Sequence, residues 1–97
     1  MRLELEISRD GGTARAILEA FPAVIGRHQE CDVRVDDPRV SRRHAVISFT
    51  ETEYVISDLK SGNGTYVNEE RVEQHALQDG DRIRIGPAQF VFHAPED

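Results

Sequence analysis

Apolar and polar side chains alternate along much of this chain, and that period of two limits the available folds more than any other feature. Residues 3–7 and 83–85 show it most clearly, with leucine or isoleucine at every second position. Comparable alternating or short apolar runs lie at residues 16–18, 23–25, 33–35, 45–49, 54–56 and 90–92. Turn-forming residues separate nearly all of them, at residues 10–12, 36–38, 61–64, 79–80 and 86–87. Because successive side chains of a strand point to opposite faces, we predict an all-β sandwich or barrel of short, mostly antiparallel strands.

One stretch, residues 13–21, also places apolar side chains at helical spacing. Its neighbours follow the strand pattern and Pro22 ends it at once, so we predict a strand there. The chain has no internal repeat, low-complexity tract or linker. We therefore expect residues 1–97 to form one domain, either as a minimal protein or as part of a larger one.

Composition excludes several classes of protein. The formal net charge of −6 argues against a protein that binds nucleic acid by neutralising phosphates. No apolar run approaches the roughly 20 residues of a membrane helix, and the N-terminus lacks the apolar block of a signal peptide. Cys31 is the only cysteine, so an intrachain disulfide is impossible, and none of the four scattered histidines pairs with it at metal-ligand spacing. We expect a cytoplasmic protein that holds neither a metal nor a cofactor.

Arginine is concentrated in a chain that is otherwise acidic. Eleven of the twelve basic residues are arginine, a composition typical of high-GC bacteria, and five of them lie within residues 27–43. Three turn segments, residues 25–27, 37–44 and 61–65, hold more polar groups than a turn requires. They offer guanidinium groups, hydroxyls, an amide and backbone N–H groups. These groups suit a tetrahedral oxyanion, because arginine donates two parallel hydrogen bonds to phosphate while hydroxyl and N–H groups bind its other oxygens.

The motifs in these segments resemble the forkhead-associated (FHA) domain family. The family pattern is Gly-Arg, then Ser-x-x-His, then Asn-Gly-Thr, and it occurs here in that order at residues 26–27, 41–44 and 63–65. Further family-like sequence lies at residues 31–33, 58–59 and 77–86, so the resemblance covers about residues 25–92. It implies a β-sandwich of about eleven strands that binds phosphothreonine peptides through loops at one end.

The resemblance also implies a role for each matching residue. Arg27 is expected to be the main phosphate clamp, with the Ser41 hydroxyl and the Arg42 backbone N–H as further donors. Asn63 is expected to bind the peptide backbone just after the phosphothreonine. Arg39 is expected to favour a ligand with an acidic residue three positions after the phosphothreonine, by charge complementarity. Structural roles at the site fall to Gly26, His44, Gly64 and Thr65.

Two positions depart from the family pattern. Where many members carry a hydrogen-bonding side chain before the asparagine, this chain has Gly62. One phosphate hydrogen bond, worth about 1.5–3 kcal/mol, is then missing unless the Gly62 backbone N–H or Ser61 replaces it. The second departure is Asn-Glu at residues 68–69 in place of Asn-Gly, and it is expected to shape a hairpin rather than the site. The Asn-Gly pair at residues 63–64 is itself expected to form a hairpin turn.

The predicted function is recognition of phosphothreonine peptides in Ser/Thr kinase signalling or phospho-dependent assembly, with a kinase, its substrate or a phosphorylated tail as partner. Ser41 and His44 also resemble half of a hydrolytic dyad, but the chain has no Gly-x-Ser-x-Gly elbow, so we predict no enzyme activity. The alternative is a phospho-independent scaffold that binds partners through a sandwich face, which Gly62 favours. We expect no nucleic-acid partner and no membrane insertion, and a monomer in isolation.

Overall fold

The computed structural model describes residues 2–94 and contains eleven strands in two sheets. The strands are β1 (Leu3–Arg9), β2 (Gly12–Leu18), β3 (Ala23–Gly26), β4 (Val33–Arg34), β5 (Ala45–Thr50), β6 (Glu53–Asp58), β7 (Thr65–Val67), β8 (Glu70–Val72), β9 (Gln74–Ala76), β10 (Arg82–Ile85) and β11 (Ala88–His93). This architecture confirms the predicted all-β sandwich of about eleven strands. Within residues 2–94 we find no helix with the length and apolar character needed to cross a membrane.

Neighbouring strands pair antiparallel with one exception in the described part of the chain. The six-stranded sheet has the order β2-β1-β11-β10-β7-β8, and the five-stranded sheet has the order β4-β3-β5-β6-β9. The exception is the parallel pair of β3 and β4, in which Ile25 lies opposite Val33. Because β3 and β4 run in the same direction, the segments that follow them leave from the same edge of the five-stranded sheet.

The stretch with helical spacing forms strand β2, as predicted. This strand pairs with β1 along its whole length, from Leu3 opposite Leu18 to Arg9 opposite Gly12. It is an edge strand whose only buried residue is Leu18, and Ile17 is 51% exposed. Its apolar side chains therefore do not share one buried face, so their helical spacing carries no structural meaning.

One core lies between the two sheets and is filled by the alternating positions. Side chains with no exposed surface come from both sheets and include Leu3, Leu5, Phe90, Phe92, Ile25, Ile47 and Ile56. Around Tyr54 an aromatic cluster forms, with ring centroids at 5.3, 4.7 and 5.6 Å from those of Phe21, Phe49 and Phe92. Because burial of each such side chain contributes about 1.5–3 kcal/mol, this core is the main source of stability for the frame that carries the loops.

The Asn-Gly pair at residues 63–64 does not form a hairpin, and that prediction is wrong. The strands that flank it, β6 and β7, belong to different sheets, so residues 59–64 cross from one sheet to the other. The hairpin lies at residues 68–69, between β7 and β8, where Asn68 and Glu69 have φ angles of 50° and 71°. Two consecutive left-handed residues suit a type I′ turn, so the Asn-Glu departure shapes a hairpin, as predicted.

Candidate functional site

Three loops meet at one edge of the five-stranded sheet. Loop A (residues 27–32) follows β3, loop B (residues 35–44) joins β4 to β5, and loop C (residues 59–64) follows β6. The strand register explains this, because Ile25 and Asp58 both pair with Ala45, so that β3 and β6 end where β5 begins.

Loops A and B are held together by their main chains. The N–H of Arg27 donates to the carbonyl of Ser41 at 3.0 Å, and the N–H of His28 donates to that of Arg42 at 3.1 Å. Gly26 permits this close approach, because a Cβ at that position would stand 2.9 Å from the carbonyl carbon of Arg42. The packing at Gly26 therefore fits a structural role, since any larger residue would push the two loops apart.

The Arg27 guanidinium is held at one end only. Its Nε–H donates to the carbonyl of Val40 in loop B at 2.9 Å, and Val40 is itself buried. Neither Nη group of Arg27 has a hydrogen-bond or ion-pair partner among residues 2–94. The two Nη groups of an anchored guanidinium can therefore bind two oxygens of a tetrahedral anion.

The hydroxyl of Ser41 joins loop B to loop C and keeps a hydrogen to donate. The N–H of Gly62 donates to Ser41 Oγ at 3.1 Å, which uses an acceptor position and leaves the O–H for an anion. Ser61 offers no second hydroxyl, because its buried Oγ donates to Asp58 Oδ1 at 2.6 Å and accepts from the Gly64 N–H at 2.9 Å. Of the two groups expected to replace the missing phosphate contact, Ser61 donates its hydroxyl to Asp58 and Gly62 donates its one N–H to Ser41 Oγ. Neither donor is therefore free for a phosphate oxygen in this structure.

His44 connects loops B and C from inside the protein. It is fully buried and its Nδ1 accepts from the Ser41 N–H at 3.1 Å, which places the ring proton on Nε2. That Nε2–H donates to the carbonyl of Gly64 at 2.7 Å. Both ring nitrogens are thus occupied by main-chain groups, and the ring contacts the N–H of Ser41 rather than its hydroxyl. This geometry does not serve a Ser-His dyad, in which the base must reach the nucleophile.

Asn63 and Arg39 are joined across loops B and C. The Nδ2 of Asn63 donates to the carbonyl of Arg39 at 2.7 Å, so the amide keeps its oxygen and one N–H for a ligand. The Arg39 guanidinium binds both carboxylate oxygens of Asp37, with Nε–Oδ1 at 2.9 Å and Nη2–Oδ2 at 3.0 Å. These hydrogen bonds lower the pKa of Asp37 to about 2, and the carboxylate raises the pKa of Arg39. The charge expected to select an acidic ligand residue is therefore offset within loop B.

The three loops thus bring residues of all three motifs to one edge of the sandwich. The sequence model described as FHA domain matches residues 23–86 of the chain. The chain belongs to the FHA domain family.

Individual relatives agree with this assignment. The FHA domain is 46% identical over 81 residues to the oxoglutarate dehydrogenase inhibitor of Corynebacterium efficiens, covering 84% of this chain and 57% of that protein. The chain thus spans little more than half the length of this curated relative. The relative comes from a bacterium, which agrees with the bacterial origin that the arginine-rich composition of this chain indicated.

Solved structures show the same fold. A chain from a structural and functional analysis of phosphothreonine-dependent FHA domain interactions superposes with a TM-score of 0.90 at 33% identity, over 99% of both chains. The Mycobacterium tuberculosis protein EmbR, in complex with a low-affinity phosphopeptide, superposes with a TM-score of 0.85 at 40% identity, over 93% of this chain and 24% of that one.

Sequence reasoning missed the role of Asp58, which stabilises loop C of this FHA domain. Its carboxylate accepts hydrogen bonds from the Ser61 N–H at 3.1 Å, the Ser61 hydroxyl at 2.6 Å and the Thr65 hydroxyl at 2.7 Å. Partial burial acts to raise the pKa of Asp58, but these hydrogen bonds outweigh it and the pKa is lowered. The Thr65 hydroxyl faces Asp58, away from the loop surface. An aspartate three residues before a serine is a common turn pattern and would have indicated this role.

Arg42 presents its backbone N–H and its side chain at the surface of loop B in the FHA domain. The Arg42 carbonyl accepts from the His28 N–H and from the Cys31 thiol, the latter at 3.2 Å. The Arg42 N–H has no hydrogen-bond partner within residues 2–94, and it therefore suits an anion. Burial raises the pKa of the Cys31 thiol, which keeps it a hydrogen-bond donor rather than a nucleophile.

Proposed function

We propose that this FHA domain binds phosphothreonine within an extended peptide, as a recognition module in Ser/Thr kinase signalling or phospho-dependent assembly. The proposal depends on one observation above all. Arg27 is anchored through Nε to Val40 while both its Nη groups lie unpaired, within the described residues, at the edge that also carries Ser41. An arginine held in this way loses little conformational entropy when it binds phosphate, so it favours tight recognition of that group.

The phosphate is bound by three groups in this proposal. The Nη groups of Arg27, the hydroxyl of Ser41 and the N–H of Arg42 each face one or more oxygens. A phosphothreonine carries about −1.5 to −2 charges near pH 7, so its attraction to Arg27 is stronger than that of a carboxylate. The complex of the EmbR relative with a phosphopeptide supports this ligand class.

The peptide backbone is bound by Asn63 in this proposal. Because one Nδ2 hydrogen already donates to Arg39, the amide plane is fixed before the ligand arrives. The remaining N–H and the oxygen of the amide can then pair with one C=O and one N–H of an extended peptide, as in strand addition. Gly62 adds no side chain to this surface.

Binding rather than catalysis is the activity we propose, because both nitrogens of His44 are occupied by main-chain groups. The proposed partner is a protein phosphorylated on threonine: a kinase, its substrate or a phosphorylated tail. The cytoplasmic location, the monomeric state and the assignment of residues 1–97 to a single domain stay predictions, supported by the single Cys31, the modest size and the one hydrophobic core.

Calorimetric titration with an oriented phosphothreonine peptide library tests the proposal, with unphosphorylated and phosphoserine peptides as controls. We expect a dissociation constant in the micromolar range, about 8 kcal/mol of binding free energy, for phosphothreonine peptides alone. The Arg27→Ala variant should bind at least about tenfold more weakly. Arg15→Ala, which removes an exposed arginine from the remote edge strand β2, should bind like the wild type.

Absence of binding to every phosphopeptide by the folded protein would contradict the proposal. It would favour the phospho-independent scaffold instead, whose partner binding should survive Arg27→Ala.

A further inference from the structure

A cleft lies on the side of loop C that faces away from loop B. It has a volume of about 690 Å³ and is lined by Asp58, Lys60, Ser61, Arg71, Val72 and Glu73. Loop C forms one wall and strand β8 with the residue that follows it forms the other. The phosphate-binding residues do not line this cleft, so it is a separate surface.

Loop C separates the cleft from the phosphate-binding residues. On one side the loop contacts loop B, through the Gly62 N–H on Ser41 and the Asn63 amide on Arg39. On the other side it contacts Arg71, because a Cβ at Gly64 would stand only 2.7 Å from Arg71 Nε. A peptide that binds both Ser41 and Asn63 therefore needs only to continue across loop C to reach Arg71.

Lys60 and Arg71 bring to the cleft two positive charges that have no ion-pair partner among the described residues. Both residues are exposed, and within residues 2–94 neither side chain makes a hydrogen bond or an ion pair. The acidic groups that line the same cleft are Asp58 and Glu73. The Asp58 carboxylate is occupied by the Ser61 and Thr65 donors, so Glu73 is the only lining carboxylate without such partners in the described structure.

Arg39, the residue that the sequence predicted to select an acidic ligand residue, already has an ion-pair partner. Its guanidinium is paired through two hydrogen bonds with Asp37, and Arg9 binds the same carboxylate at 3.3 Å. To bind a ligand carboxylate, Arg39 has to share or give up a pair that is already formed. Lys60 and Arg71 have no such competitor among the described residues.

We propose that Lys60 and Arg71 form a subsite that binds an aspartate or glutamate side chain of the phosphopeptide. The inference rests on the proposed function, and it assigns selection of an acidic residue to loop C and β8 rather than to Arg39. Because the peptide has to cross loop C to reach Arg71, the acidic residue lies beyond the residue that Asn63 binds, on the side of the peptide that crosses loop C.

The test compares peptides that differ by one carboxylate. For each of the four positions on either side of the phosphothreonine, one peptide carries aspartate at that position alone and its twin carries asparagine there. The dissociation constant of each peptide is measured calorimetrically. An exposed ion pair changes affinity about two- to fivefold. At one position the aspartate peptide should therefore bind the wild type about two- to fivefold more tightly than its twin.

In the double variant Lys60→Gln with Arg71→Gln, the ratio of the dissociation constants of the two twin peptides should be close to one. The affinity of this variant for the asparagine peptide should stay within about twofold of the wild-type affinity for the same peptide. Lys60 has a φ of 57°, and glutamine meets the same backbone strain as lysine, so the loop should be preserved. Arg15→Gln with Arg82→Gln removes two exposed charges on β2 and β10 and should leave the ratio unchanged.

Lys60 is the only lysine, so lysine-selective isotope labelling gives a direct spectroscopic readout. Its side-chain signals should shift on binding the aspartate peptide and much less on binding the asparagine twin. Three results would overturn the inference while the phosphothreonine dependence persists. They are a ratio of one at every position for the wild type, an unchanged ratio in the Lys60→Gln, Arg71→Gln variant, and a fall of the ratio to one in Arg39→Gln. Loss of that dependence itself would instead refute the proposed function, and this subsite with it.

Discussion

The Ser41 hydroxyl oxygen lies 3.1 Å from the backbone nitrogen of Gly62 and accepts its hydrogen bond. This contact joins the loop that carries the proposed phosphate donors to the loop that carries Asn63. It also places residue 62, where the chain lacks a side chain, directly beside the proposed phosphate position. A Cβ at Gly62 would meet no atom within 4 Å, so the position has room for a side chain.

Gly62→Thr is therefore expected to strengthen phosphopeptide binding. The new hydroxyl can donate to a phosphate oxygen, and a hydrogen bond to a charged acceptor is worth about 1.5–3 kcal/mol, which is roughly a tenfold gain in affinity or more. Calorimetric titration measures it. Gly62→Ala, which adds the Cβ without the hydroxyl, should bind like the wild type, and an equal gain from both variants would show that loop stiffness is responsible.

Gly26→Ala is expected to destabilise the protein by about 1–3 kcal/mol, because the new Cβ would overlap the main chain of Arg42. The loops that carry Arg27 and Ser41 should separate, so phosphopeptide affinity should fall as well. Urea denaturation gives the free energy of unfolding. Gly62→Ala serves as the matched control, since the same change in open space should shift stability by less than about 0.5 kcal/mol.

His44→Ala is expected to lower the free energy of unfolding by about 2–4 kcal/mol. It leaves the Ser41 N–H and the buried Gly64 carbonyl without partners and opens a cavity where a fully buried ring stood. Chemical denaturation checks the value, with the exposed His28→Ala as a comparison that should change little. A loss below about 1 kcal/mol for His44→Ala would show that the ring does not brace the two loops.

Stability should fall at acidic pH partly through Asp37. Its pKa is lowered from 3.8 to about 2 by the hydrogen bonds from Arg39, so its ionised form stabilises the folded state. The stabilisation is complete above the unfolded-state value and is lost as the pH falls through about 2. Asp37→Asn keeps the acceptor for the Arg39 N–H but cannot ionise.

Between about pH 5 and about pH 2, the unfolding free energy of Asp37→Asn should thus decline less than that of wild type. Urea titrations at several pH values measure the two slopes, with Asp36→Asn as the control for loss of one negative charge. Parallel curves for wild type and Asp37→Asn would mean that the Asp37–Arg39 pair does not persist in solution.

The sequence alone determined the fold class and the set of residues at the loop edge. Alternation at residues 3–7, 83–85 and 90–92 predicted strands that the structure contains, because the period of a strand is a local property of the chain. The three ordered motifs predicted which loops come together. They converge because Ile25 and Asp58 share Ala45 as pairing partner, a register that the apolar pattern of these strands specifies.

Only the tertiary structure decided how the polar groups of those loops are used. The Asn-Gly pair at residues 63–64 has the sequence of a hairpin, but its flanking strands lie in different sheets. Ser61 turns inward to Asp58, and Arg39 pairs with Asp37, although both side chains are of types that commonly bind a phosphate or a carboxylate. The physical reason is that a hydrogen bond depends on distances of about 3 Å between side chains whose positions are set by packing and loop conformation, which a linear pattern does not encode.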